Sequence, residues 1–243
     1  MTHPSRRSLT LLGLAAAVTP PVAGAAEPVD MLLVLAADVS RSVTESKFKL
    51  QREGAAAAIT HPDVVRAITS GPHRRIAVCF LEWATAGQHA VVIDWVAIDG
   101  EAAARRFGDR LVEMPRSFSG STSISSAIDF SVAQLERAPF VAERRVIDIS
   151  GDGVNNSGRP VTIARDEAVG QGVVINGLPV INDRPDPFPM RQPPLDEYYR
   201  EQVIGGAGSF VEVASGFEAF DAAVRRKLLR EIAGLAPQGP IAG

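Results

Sequence analysis

Seven consecutive apolar residues, 31–37, end abruptly on Asp38. A run this short and uniformly apolar suits a strand buried on both faces, because a half-solvated strand would alternate. Such a strand needs helices on either side of its sheet, and the following sequence supplies them in turn. Residues 44–60 read as a helix, 75–83 and 90–98 as strands, and the short connection at Ala86-Gly87 makes those two an antiparallel hairpin. Ala103, Phe107, Leu111 and Met114 share one helical face over 101–114, as do Ile124, Ile128, Val132 and Leu135 in the next helix. Strand 145–149, helix 161–169 and strand 173–180 follow, with Gly170-Gln171-Gly172 stopping the helix. A last strand at 210–213 leads into a helix on which Phe217, Phe220, Val224 and Leu228 align. The fold class this predicts is α/β: a doubly wound, mostly parallel central sheet with one antiparallel edge strand and helices on both faces.

The N-terminus stands apart. Arg6 and Arg7 precede the apolar stretch 9–18, and Ala23-Gly24-Ala25 or Gly24-Ala25-Ala26 offers a small-residue cleavage site. This is the pattern of a cleavable signal peptide over residues 1–26, and Ser5-Arg6-Arg7-Ser8-Leu9 also resembles a twin-arginine export signal. The stretch is shorter than the roughly 20 residues that span a bilayer, so no membrane anchor is expected after cleavage. The expected location is periplasmic or secreted, by the Sec or the twin-arginine route. One domain is expected over 27–235, with a Pro/Gly-rich disordered tail at 236–243. The single cysteine, Cys79, lies in the apolar run 76–81 and reads as a buried, inert thiol. A formal net charge of -3 excludes the basic surface that nucleic acid demands.

In doubly wound sheets, ligands gather at the carboxyl ends of the strands. Asp38-Val39-Ser40-Arg41-Ser42 follows the first strand, Gly120-Ser121-Thr122 opens a helix, and Ser150-Gly151-Asp152-Gly153 follows the strand at 145–149. Carboxylates and hydroxyls are hard oxygen donors suited to Mg²⁺ or Mn²⁺. Each part also has a local explanation. Ser42 with Glu45 forms a capping box, Thr122 or Ser121 would cap a helix, and Asp152-Gly153 is a common turn pair. Their joint position at one sheet edge favours a cation site made of Asp38, Ser40, Ser42, Thr122 and Asp152.

These residues, in this order, resemble the metal-ion-dependent adhesion site (MIDAS) of von Willebrand factor type A (vWA) domains. The resemblance covers residues 29–234 and is greatest to a signal-bearing bacterial subgroup of uncharacterised function. It implies a vWA/Rossmann-like fold, with Ser40, Ser42 and Thr122 as direct ligands and Asp38 and Asp152 direct or one water away. It further implies a divalent cation, Mg²⁺ first with Mn²⁺ or Ca²⁺ as alternatives. The partner would be a protein offering an acidic side chain to the metal, and no catalysis is expected. Ser150-Gly151 departs from the more usual Leu-Thr before the aspartate, and a proline-rich loop at 181–195 is not a general family feature. That loop is expected beside the cation, where it would shape partner choice; its Asp183 and Asp186 read as solvated charges.

Two rivals deserve a place. Gly151-Asp152-Gly153-Val154-Asn155-Asn156 is close to the Gly-Asp-Gly-x-Asn-Asp motif of haloacid dehalogenase-type phosphatases. That family needs Asp-x-Asp at its first motif, and Ser40 stands where the general acid belongs. A structural vWA domain with a non-functional metal site is the other. A nucleophilic hydrolase is weaker than either, since no Gly-x-Ser-x-Gly elbow occurs and His61, His73 and His89 read as loop residues away from the ligand edge.

Overall fold

A two-residue strand, β1 (Glu27–Pro28), precedes β2 (Leu32–Asp38), in which all seven residues are buried. The computed structural model describes residues 26–181 and 193–233. The signal segment up to residue 25, most of the 181–195 loop and the tail therefore lie outside the described residues. After β2 come α1 (Glu45–Thr60), α2 (Pro62–Thr69), β3 (Ile76–Trp83), β4 (His89–Ile98), α3 (Glu101–Glu113) and α4 (Ile124–Glu136). Next are β5 (Phe140–Val141), β6 (Arg145–Gly151), α5 (Val161–Gly170) and β7 (Val173–Ile181). One helical turn, α6 (Leu195–Tyr198), runs into a π-helical turn at Tyr199–Val203. β8 (Ala214–Ser215), a 3₁₀ turn (Phe217–Ala219) and α7 (Phe220–Ala233) complete the described chain.

Six strands pair in the order β4-β3-β2-β6-β7-β8, all parallel except the β3–β4 hairpin. The period of two along β2 divides the interior. Leu33, Leu35 and Ala37 enter one apolar cluster with residues of α1, α2, α3 and α7, while Leu32, Val34 and Ala36 enter another with residues of α4 and α5. Each fully buried Leu, Ile or Val contributes roughly 1.5–3 kcal/mol, so two such clusters hold β2 from both sides. The doubly wound sheet with one antiparallel edge strand agrees with the sequence reading. Among the described residues no helix is long and apolar enough to cross a membrane.

Several local readings are corrected. The chain does not remain a loop after residue 60. Pro62 starts α2 with His61 Nδ1 accepting the Asp63 N–H at 3.2 Å, because proline fits a first helical turn as well as it ends a helix. The expected strand 210–213 is reduced to an isolated Gly177–Val211 bridge ahead of β8. The Phe210 N–H goes to the Asn176 side chain at 3.0 Å, which interrupts the ladder there. His89 is not in a loop away from the ligand edge. It opens β4 opposite Trp83, since an antiparallel partner begins where β3 ends.

Candidate functional site

Strand order reverses at the middle of the sheet: β3 and β4 lie to one side of β2, and β6, β7 and β8 to the other. Connections leave the neighbouring ends of β2 and β6 in opposite directions, which opens a crevice there. Asp38 is the last residue of β2, and Asp152 is the first after β6.

Local hydrogen bonds draw four of the predicted residues, Asp38, Ser40, Ser42 and Asp152, together. Ser40 N–H donates to Asp38 Oδ1 at 2.7 Å, turning the loop back on the strand end. The Ser40 and Ser42 hydroxyls lie 3.0 Å apart, and Ser42 Oγ donates to Asp152 Oδ1. Thr122 arrives from the loop ahead of α4, and its hydroxyl would stand 3.6 Å from a Cβ on Gly153. Neither hydroxyl is spent on a helix cap. Thr44, not Ser42, caps α1, accepting the Lys47 N–H at 3.4 Å. At α4 the N-cap position is Ser123, without a side-chain cap bond; the Ser125 N–H is met by Asn155 Oδ1 at 3.0 Å instead. Asp38, Ser40 and Thr122 are buried while Ser42 is exposed, so the cluster opens to solvent at Ser42.

Two acids in this position are strained electrostatically. Burial pushes the Asp38 carboxyl up to about 7; the Ser40 N–H holds it back, the charge of Asp152 pushes it further up, and the Ser40 hydroxyl and the Asp152 N–H lower it a little. Asp38 Oδ2 is buried with no hydrogen-bond partner among the described residues. Lys47 reaches across from α1, its Nζ donating to Asp152 Oδ2 and to the Ser42 carbonyl, each at 3.0 Å. Among the described residues no three or more His, Cys, Asp or Glu side chains gather as a metal set. A cation in this crevice must therefore draw on hydroxyls as well as on the two acids.

Residues beyond the predicted five support the site. Arg116 sends its guanidinium to the loop after β2, donating to the carbonyls of Val39, Ser40 and Val43, the last two at 2.8 Å. Its neighbour Ser117 donates its N–H to Glu82 Oε2 at 2.7 Å, and Glu82 Oε1 accepts from the buried Arg52 at 2.6 Å. A Cβ at position 120 would stand 2.3 Å from Thr85 Oγ1 and 2.4 Å from Gln88 Oε1, so glycine there lets both side chains keep their places. Asn155 and Asn156, the residues behind the phosphatase comparison, here tie loops together. Asn156 Oδ1 accepts the Thr122 N–H at 2.9 Å, and its own N–H returns to the Thr122 carbonyl at 2.9 Å. The signal for them was the Asn-Asn pair after Asp152; for Arg116, a lone charge between Pro115 and Ser117, there was none.

His89 stacks on Phe130 with centroids 4.8 Å apart and shares a hydrogen bond with Ser126 Oγ at 3.0 Å. Burial lowers its imidazole below the ordinary range, and the charge of Asp129 pulls it back up. Cys79 is fully buried and its thiol is pushed up to about 12, chiefly by burial, so it is inert.

No curated protein sequence matches the chain. Among solved structures, it is similar to a von Willebrand factor type A protein from Catenulispora acidiphila, at TM-score 0.57 and 15% identity over 84% of this chain and 43% of that one. It is also similar to the pilus adhesin SpaC of Lactobacillus rhamnosus GG, at TM-score 0.59 and 14% identity over 86% and 31% of the two chains. A third is proximal thread matrix protein 1 of the mussel byssus, solved with zinc in its MIDAS motif, at TM-score 0.58 and 13% identity over 86% and 47%. The chain spans less than half the length of each of these proteins. Identities this low speak for the fold, and the fold is vWA-like. The model of the family described as "Protein of unknown function (DUF1194)" matches residues 28–236, and the chain belongs to that family.

Proposed function

We propose that this chain is a protein-recognition domain that engages its partner through a divalent cation held by Asp38, Ser40, Ser42, Thr122 and Asp152. The observation that carries the reading is the unpartnered Asp38 Oδ2, buried beside a second acid at the strand switch. A stranded buried acceptor costs roughly 1–3 kcal/mol. Two carboxylates about 4 Å apart repel by roughly 4 kcal/mol at an effective dielectric near 20. A cation between them relieves both penalties. An all-oxygen donor set suits Mg²⁺ first, with Mn²⁺ or Ca²⁺ as alternatives.

The hydroxyls of Ser40, Ser42 and Thr122 would bind directly, and the two carboxylates directly or through water. Neutral hydroxyls leave the ion electrophilic, so an acidic side chain from a partner would complete its shell. Charge at the mouth favours the same partner, because Arg41 is exposed beside Ser42 and Lys47 stands against Asp152. The N-terminal signal pattern supports action outside the cytoplasm, and no catalytic role is assigned.

Titration calorimetry of the purified protein tests the reading. Mg²⁺ or Mn²⁺ should bind the wild type and fail to bind Asp38→Ala and Asp152→Ala. Absence of binding to the wild type would sink it. A phosphatase assay with Asp38→Asn as control separates the enzymatic rival, and turnover dependent on Asp38 would favour that rival.

A further inference from the structure

Tyr199 is fully buried, yet its hydroxyl has no hydrogen-bond partner among the described residues. Buried tyrosines ordinarily keep a partner for that oxygen. Packing alone gives no reason for the group, since phenylalanine would fill the same space without stranding an oxygen.

The ring lies against two glycines on adjacent strands. A Cβ at Gly177 of β7 would stand 2.7 Å from Tyr199 Cδ1, and one at Gly151 of β6 would stand 2.9 Å from the Tyr199 hydroxyl. Larger residues at these positions would displace the ring. The same Gly151 point lies 3.0 Å from Asp38 Oδ2, the stranded acceptor of the cation site. The slot left by the missing side chain thus has an unpartnered donor on one wall and an unpartnered acceptor on the other. Burial first, and then the charges of Asp38 and Asp152, push the phenol well above its ordinary range, so it keeps its proton. Tyr199 also opens the π-helical turn, a distortion found often at functional sites.

We propose that Tyr199 is a positioning residue of the cation site: its O–H donates across the Gly151 slot to Asp38 Oδ2, directly or through one water, and holds that carboxylate turned toward the ion. The inference rests on the cation reading above. It also accounts for glycine at position 151, where a side chain would close the slot.

The test compares the wild type with Tyr199→Phe by Mg²⁺ calorimetry and by thermal unfolding in chelator. Removing the partner of a metal-facing carboxylate should weaken the Kd by about tenfold to a hundredfold. The Tm in chelator should not fall, because the lost oxygen had no partner in the cation-free protein. The chain has two tyrosines, and the Tyr198 hydroxyl instead accepts the Asn155 N–H at 3.2 Å. A tyrosine difference absorbance on adding Mg²⁺ should therefore persist in Tyr198→Phe and vanish in Tyr199→Phe. Equal Mg²⁺ affinity in the wild type and Tyr199→Phe would overturn the inference and leave the cation reading standing. So would a lowered Tm in chelator with an unchanged Kd, the mark of a packing role. A wild type that binds no Mg²⁺ would overturn the cation reading, and this inference with it.

Discussion

Among the described residues, a cluster of buried charge at the carboxyl edge of the sheet and another beneath α7 each set two acids against one lysine, but place that lysine differently. Beneath α7, Lys227 Nζ lies 2.6 Å from Asp148 Oδ1 and 2.7 Å from Glu231 Oε1. Asn176 Nδ2 donates to the same Glu231 oxygen at 2.7 Å, and Arg144 reaches the Glu231 carbonyl. The compensating ammonium is 0% exposed and belongs to the fold, where it binds α7 to β6 and β7. At the edge, Asp38 has no cationic partner among the described residues, and Lys47, 18% exposed, reaches only Asp152. Acids matched by an internal lysine hold a helix in place. At the edge, a lysine that reaches only one of the two acids leaves Asp38 as the acid proposed to take a cation from solution.

The contrast is broken most forcefully at Lys227. Lys227→Met would leave Asp148 and Glu231 uncompensated, and urea denaturation should show a loss of about 3–5 kcal/mol. A loss below about 1 kcal/mol would mean that the acids simply take up protons, and the cluster would no longer count as a structural ion pair. Next in size is the gain from the cation. At 100 times its Kd, Mg²⁺ should stabilise the wild type by about 2.7 kcal/mol. Glu231→Gln should keep that increment and Asp152→Asn should lose it; the reverse pattern would erase the distinction between the two clusters.

A smaller effect is expected at Arg116, which clamps three carbonyls of the loop carrying Ser40 and Ser42. Arg116→Met should weaken Mg²⁺ binding about tenfold, or about 1.4 kcal/mol. Unchanged affinity would show that the loop keeps its shape unaided.

The gentlest prediction concerns pH. The raised Asp38 carboxyl holds a proton in the cation-free fold that the unfolded chain releases near its ordinary value of 3.8. Its contribution to stability is full below about pH 4 and is lost as pH rises toward about 7. On the proposed reading Mg²⁺ would take the place of that proton, so the stability difference between Mg²⁺ and chelator should widen across this interval. Asp148 is also raised, by burial against the pull of Lys227, but it affects both conditions alike. Parallel unfolding curves from pH 4 to 7 would detach Asp38 from the cation.

The elements that spacing can announce were legible. The apolar run before Asp38, the 3.6-residue faces of α3 and α4 and the β3–β4 hairpin turn all appear where the sequence reading put them. The errors fell where one signal serves two structures. His61-Pro62 marks a helix end and a helix start equally well, and Ser42 and Thr44 both precede α1 as competent caps. Of the proposed site, the five oxygen-bearing residues could be named from sequence because each follows a strand end or precedes a helix. Arg116 and Lys47 could not be, since nothing in their neighbours' spacing marks them.

Local order along the chain thus determined the alternation of strands and helices and the succession Asp38, Ser40, Ser42, Thr122, Asp152, because hydrophobic period and turn chemistry act over a few residues. Strand order, and with it the crevice between β2 and β6, was decided only by packing in three dimensions. So were the clamp from Arg116 onto Ser40, 76 residues away in the chain, and the phenol facing Asp38 across Gly151. Such contacts depend on which surfaces the sheet brings together, a property that belongs to the whole fold and to no single segment.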